Sequence, residues 1–191
     1  VGKTKSTDPL LIFFTSGTES YPKMVLHTHA YPLAHIVTAK FVDDLHSTDL
    51  HLAVADTGWA KTAFGKLFGQ WICGAAVLQR NPIGGFNPKI TLSVIERFGV
   101  TTFCASPSVY RMLIQEDLFS YDLKNLRLTL CAGEPLTPEI VKAWKEGTGL
   151  DLYEFYGQSE TVALIANFRW KPIKYGSIGL PTPGHTVAVV D

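Results

Sequence analysis

The chain has 191 residues, 46% of them apolar and 18% charged, with Lys plus Arg and Asp plus Glu at 17 each. That length is enough for one sizeable domain with a packed core, and the composition is globular with no disordered tail. With no net charge, there is no field to recruit nucleic acid or an anionic membrane, so any anion must be bound locally.

The opening VGKTKSTDPL lacks the apolar core of a signal peptide. LLIFF (10–14) then reads as a strand and 31–42 as a helix. LHLAVA (50–55), AAVLQ (75–79), VTTFCA (100–105), LRLTLCA (126–132) and LDLYEF (150–155) follow as further strands. The helices expected between them cover 61–72, 88–98, 107–118 and 138–147. Asn87-Pro88, Ser106-Pro107 and Thr137-Pro138 each set a cap residue before a proline, and Gly99, Gly147 and Gly149 stand where helices should stop. The longest apolar stretch, LFGQWICGAAVL, is too short to span a bilayer and carries Gln70. Cys73, Cys104 and Cys131 sit inside apolar runs with no C-x-x-C pair, which predicts reduced buried thiols in a cytoplasmic chain.

The alternation predicts an α/β fold: an open, largely parallel sheet with flanking helices over residues 1–160. After it, TVALIANF, KPIKYGSIGLPTPG and HTVAVVD predict a short β-rich segment, 161–191. A start at a strand's doorstep and an end inside one suggest a piece of a longer protein. In such sheets ligands bind where strand carboxyl ends meet loops. The chemically loaded stretches 15–23, 56–59, 106–110, 133–136 and 156–161 all fall at those positions.

TSGTESYPK (15–23) has the spacing of a P-loop from Gly17, but Pro22 replaces the second glycine and Met24 the magnesium hydroxyl. Three hydroxyls, exposed amides and Lys23 can still wrap a polyphosphate; the competing reading is a plain polar turn. In YEFYGQSETV, Ser159-Glu160 could hold a divalent cation against phosphate oxygens, and Tyr156 offers a flat face for a base. CAGEPL (131–136) lets backbone approach a planar ligand at Gly133, with Pro135 stiffening the turn and Glu134 readable as a helix-start carboxylate. Trp59 could wall an apolar cavity, although a core tryptophan is the commoner fate. His27 and His29 would share a strand face, but with no third ligand nearby a structural or capping role is favoured over a metal pair. Ser106-Pro107-Ser108 lacks the glycine-flanked elbow of a nucleophilic serine.

Taken together, these stretches resemble the adenylate-forming enzymes: acyl-CoA synthetases, luciferases and the amino-acid-activating domains of peptide synthetases. TSGTESYPK fills that family's phosphate loop, Thr28-His29 its following T-H pair, Gly133-Glu134-Pro135 its adenine turn and Tyr156 to Glu160 its Y-G-x-[ST]-E motif. Gly176 to Gly184 match its later G-x-x-G-x-P-x-P-G. ADTGWAK, SPSVYRML and YGQSET are most similar to the medium-chain acyl-CoA synthetases. Where acetate-specific relatives carry a bulky aromatic, this chain has Gly157, which implies a longer or aromatic acid.

The resemblance implies that Thr15, Ser16, Gly17, Thr18 and Lys23 hold the β- and γ-phosphates of ATP. Gly133, Glu134 and Pro135 would flank adenine, with Tyr156 on its face and Glu154-Phe155 near its edge. Gly157 and Gln158 belong to the same nucleotide contact, Ser159 would bond the α-phosphate, and Glu160 would ligate Mg²⁺. Lys23, Ser159 and Glu160 are the catalytic candidates, and Trp59, Phe64, Ser106 and Gly157 would line the acyl cavity. The implied reaction joins a carboxylic acid to AMP and then transfers the acyl group to coenzyme A. Ser20 and Glu19 depart from the family loop, and a glutamate facing the polyphosphate would weaken binding. The ribose-binding aspartate, the lysine of a C-terminal domain and the coenzyme A tunnel would lie beyond Asp191, so the chain alone is expected to be inactive or nearly so. A homo-oligomer is left open. Two alternatives remain: an amino-acid-activating domain, for which Asp56 could meet an ammonium, and a nucleotide-binding module without catalysis.

Overall fold

The computed structural model describes residues 2–15, 21–55, 58–80 and 84–190. The strands are β1 (Pro9–Thr15), β2 (Lys23–Thr28), β3 (Leu50–Ala53), β4 (Ala76–Val77), β5 (Thr102–Ala105), β6 (Leu128–Cys131), β7 (Leu152–Gly157), β8 (Ala163–Ala166) and β9 (Leu180–Pro181). The α-helices are α1 (Tyr31–Ala34), α2 (Ala60–Ala63), α3 (Gly69–Ile72), α4 (Pro88–Phe98), α5 (Pro107–Leu113) and α6 (Pro138–Thr148).

Strands apolar at every position need cover on both faces, and β5 and β6 are buried at all four residues. Phe103, Ala105 and Cys131 point into one core with Leu92 and Ile95 of α4, Tyr110 of α5 and Trp144 of α6. Cys104, Leu128 and Leu130 point the other way, toward Val42, Phe155 and Phe168. The sheet runs β4-β3-β5-β6-β7-β8-β9, parallel from β4 to β7 and antiparallel beyond. The predicted α/β fold is therefore present, with β8 and β9 extending the same sheet. Because the chain leaves β3 for β4 on one side and then crosses to β5 on the other, the order reverses between β3 and β5. That reversal opens a crevice at their carboxyl ends.

The first predicted strand departs from this plan. LLIFF was expected to open the parallel sheet, yet β1 pairs antiparallel with β2 in a separate two-stranded ribbon, with Ile12 opposite Leu26 and Phe14 opposite Met24. All four of those side chains are exposed.

Helix starts follow the caps. Asn87 Oδ1 accepts from Ile90 N at 3.0 Å, and Gly99 closes α4 with φ 62. Gly149 closes α6, whereas Gly147 lies inside that helix, where a Cβ would sit 2.5 Å from Leu118 Cδ1. Three expected helices differ. Residues 31–42 divide into α1 and a π-helical turn, Thr38–Val42, and 61–72 into α2, a π-helical turn, Phe64–Phe68, and α3. Residues 107–118 end at Leu113, because Asp117 starts a new 3₁₀ turn (Leu118–Ser120) by accepting Phe119 N through its carboxylate at 3.2 Å.

Polar ties complete the core and the periphery. Trp144 Nε1 donates to Thr129 Oγ1 at 3.1 Å, and Tyr110 Oη to Leu130 O at 3.2 Å. Asp44 Oδ2 receives both Arg127 and Arg169, each at 3.0 Å, although Asp44 itself holds φ 43. Among the described residues, no helix is long and apolar enough to cross a membrane.

Candidate active site

The carboxyl ends of β3, β5, β6 and β7 converge with the Thr15–Lys23 end of the ribbon on one cavity of about 960 Å³. The ribbon brings Thr15 and Lys23, which are directly opposed in register. Ser16, Gly17 and Thr18, the departures Glu19 and Ser20, and Asp56 of the amino-acid alternative lie outside the described residues.

β7 runs into the cavity through Phe155 and Gly157 and continues as Gln158, Ser159 and Glu160. The turn is closed by Gln158 N donating to Thr161 Oγ1 at 2.9 Å and Thr161 N donating to Gln158 O at 3.1 Å. Ser159 O accepts a 2.6 Å bond from His27 Nε2 on β2. Gly157 sits at an irregularity in the β7–β8 ladder, where a Cβ would be 2.7 Å from Val162 O, so the backbones approach more closely than a side chain permits.

Past β6, Gly133 adopts φ +103, and no heavy atom lies within 4 Å of where its Cβ would be. Only glycine takes that angle without strain, and it leaves an open cradle above the sheet. Glu134, also on the wall, accepts from Ser108 N at 3.3 Å and from Ser108 Oγ, tying this loop to the start of α5. Pro135, Glu154 and Tyr156 are not in the cavity wall. Tyr156 is 39% exposed, and half-buried Glu154 has its carboxyl pushed up by burial against a partial offset from the Leu136 backbone.

On the acyl side, Trp59 is 55% exposed and Ser106 buried, and both line the cavity. Phe64 begins the π-helical turn; its side chain lies outside the described part of the chain. Among the described residues no group of three His, Cys, Asp or Glu is placed to hold a metal ion. Glu160 stands on the cavity wall beside Ser159, a donor set that suits a hard cation shared with phosphate oxygens.

Residues 1–191 match the AMP-binding enzyme family over their whole length. The chain belongs to that family. Among curated relatives, the chain is 45% identical over 190 residues to the human acyl-coenzyme A synthetase ACSM3, mitochondrial, covering 99% of this chain and 32% of the relative. It is 40% identical over 189 residues to 4-hydroxybutyrate–CoA ligase 1 of Metallosphaera sedula, covering 98% of this chain and 33% of the relative. The chain thus spans about a third of the length of these relatives. A solved acyl-CoA synthetase of Brucella canis superposes with TM-score 0.89 at 32% identity, over 98% of this chain and 34% of that one. The anthranilate CoA ligase AuaEII, solved in complex with anthranoyl-AMP, gives 0.87 at 32% identity, over 97% and 36%.

Two residues of the site escape a reading by motif. Lys61 is 8% exposed, lines the cavity, and donates from Nζ to Ala132 O at 3.2 Å, joining α2 to the Gly133 loop. His27 joins the ribbon to Ser159. Lys61 had a faint signal, standing two residues after Trp59 in a stretch otherwise read as cavity wall. His27 was paired with His29 on a strand face and read as structural or capping, with nothing in the sequence to point to Ser159 as its partner.

Proposed function

We propose that the parent of this chain is an ATP-dependent ligase that activates a carboxylic acid as an acyl-adenylate and passes the acyl group to coenzyme A. One observation carries the reading: segments up to 145 residues apart (Thr15 and Glu160) meet in a single cavity that holds a lysine, a hydroxyl–carboxylate pair, a glycine cradle and an aromatic wall. A nucleotide and an acid must share one space for the first step, and that combination provides for both.

In this reading Lys23 and the hydroxyl turn grip the β- and γ-phosphates while Gly133 lets adenine lie against backbone. Ser159 bonds the α-phosphate. Mg²⁺, held by Glu160, supplies neutralisation of the polyphosphate when bound. The acid's carboxylate attacks the α-phosphorus and pyrophosphate leaves; the coenzyme A thiol then attacks the acyl carbon and releases AMP. Bringing an anion to a polyanion is an electrostatic and positional task, which accords with a wall of donors lacking a side-chain nucleophile.

The acid is larger than acetate. Gly157 supports this, adding no side chain of its own to the cavity wall beside Phe155. So do the names of relatives that act on 4-hydroxybutyrate and anthranilate. The cytoplasmic location expected from the sequence stands beside the mitochondrial one in the names of mammalian relatives, and fractionation of cells carrying the tagged parent separates them. The activity is tested by pyrophosphate exchange in the full-length parent with octanoate or benzoate. Acid-dependent exchange that Lys23→Ala and Glu160→Ala diminish is the expected result; exchange with no acid, or indifference to both substitutions, overturns the reading.

A further inference from the structure

The ribbon and the main sheet are separate hydrogen-bonded units, yet the proposed chemistry needs Lys23 from one and Ser159 and Glu160 from the other at a fixed spacing. His27 spans them. It lies four residues after Lys23 on β2, so both project from the same strand face about 13 Å apart. Its Nε2 is 2.6 Å from Ser159 O, across 132 residues of sequence. A carbonyl oxygen can only accept, so Nε2 carries the proton and the imidazole donates whether neutral or charged.

The ring has little freedom to do otherwise. It is 8% exposed, stacked on Tyr31 with centroids 3.7 Å apart and an interplanar angle of 22°, and Phe13 of β1 meets it edge-on at 5.6 Å. The turn that follows Ser159 is closed locally by Thr161, which shapes it without fixing it to the ribbon. The His27 bond holds the peptide plane that joins Ser159 to Glu160, and with it the direction in which the glutamate leaves the backbone.

We infer that His27 is a positioning residue: through Ser159 O it sets the distance between the Lys23 strand and the Ser159–Glu160 turn, and so the fit of the site to magnesium-bound ATP. The inference rests on the ligase reading but concerns its nucleotide half alone. It assigns His27 no contact with substrate and no part in proton transfer.

The test compares His27→Met and His27→Gln in the full-length parent by pyrophosphate exchange, varying Mg-ATP and the acid separately. The methionine variant keeps the packing volume but loses the donor. Loss of a buried bond to the turn should raise its KM for Mg-ATP about tenfold and lower kcat, with the KM for the acid unchanged. Glutamine can present an amide N–H near the Nε2 position and should return the KM for Mg-ATP to within about threefold of wild type. Should the methionine variant not fold, His27→Asn, whose amide is too short to reach Ser159 O, takes its place. A KM for Mg-ATP that stays at the wild-type value in folded variants, or that rises equally in the glutamine and methionine variants, overturns the inference. If no acid supports exchange, the ligase reading fails. Calorimetric Mg-ATP affinity then decides the role of His27: weakening by methionine with recovery by glutamine upholds it, and equal affinities overturn it.

Discussion

The middle of the large sheet and the β1–β2 ribbon are both built from apolar strand residues, yet they stand in opposite relations to solvent. β5 and β6 are buried at every position and held on two faces by helices. The ribbon buries Phe13 and His27 against Tyr31 but leaves Ile12, Phe14, Met24 and Leu26 exposed on its other face. One region is fixed by packing on all sides. The other carries Thr15 and Lys23 into the cavity on a few specific contacts. Substitutions should therefore separate, with stability reporting on the sheet and nucleotide use on the ribbon.

The largest expected effect is in the sheet. Trp144 is fully buried between α6 and β6, so Trp144→Ala should cost about 3–5 kcal/mol in urea unfolding. In the full-length parent, the protein that stays folded should keep its KM for Mg-ATP; a nucleotide defect as large as the stability loss would break the division. Next come Lys23→Ala and Glu160→Ala, expected to lower pyrophosphate exchange about a hundredfold. Their unfolding midpoints should stay near wild type, since both residues are exposed on the cavity wall. Gly157→Val lies on the border between the two regions. Its Cβ would stand 2.7 Å from Val162 O, so the β7 and β8 backbones must part, and kcat/KM in the full-length parent should fall about tenfold to a hundredfold for octanoate and acetate alike. A loss confined to octanoate would instead place the new side chain in the acyl wall and not against the Val162 backbone.

The last prediction concerns pH. His51, in β3, is held down to about 4 by burial, with Lys61 and Lys66 adding to it. From the unfolded value near 6.5 down to about 4, the unfolded chain binds a proton that the folded chain does not, so stability falls as the medium becomes acid. His51→Gln should flatten that limb of a stability–pH curve by at most about 1.4 kcal/mol per pH unit. An unchanged slope would mean that His51 does not titrate differently on folding.

What could be read in the sequence follows the same division. The helix starts at Asn87, Ser106 and Thr137 were legible because a cap before proline is a local signal, decided within a few residues. The buried strands were legible because two-sided cover demands unbroken apolar runs. LLIFF has the same texture, so nothing local distinguished a ribbon strand from a sheet strand; only its pairing with KMVLHT did. The π-helical turns at Thr38–Val42 and Phe64–Phe68 shift the helical register by one residue, which apolar periodicity is too coarse to show. In the site, Thr15, Lys23, Ser159 and Glu160 were named through the family resemblance of their motifs, and all four line the one cavity. Lys61 and His27 could not be named this way, because a lone lysine or histidine takes its meaning from burial, and burial is set by segments far away in the chain.

Asp44 has a consequence of another kind. Its carboxylate is shared by Arg127, just before β6, and Arg169, just after β8, at a corner where the arginines remain partly open to water. Ions in solution compete for such contacts over a Debye length of about 8 Å at physiological strength, while the apolar interior is indifferent to them. Rising salt should thus loosen the more exposed Arg169 from Asp44 while Arg127 keeps its hold on buried Asp49, so the end of β8 answers to the ionic composition of its surroundings while β6 does not.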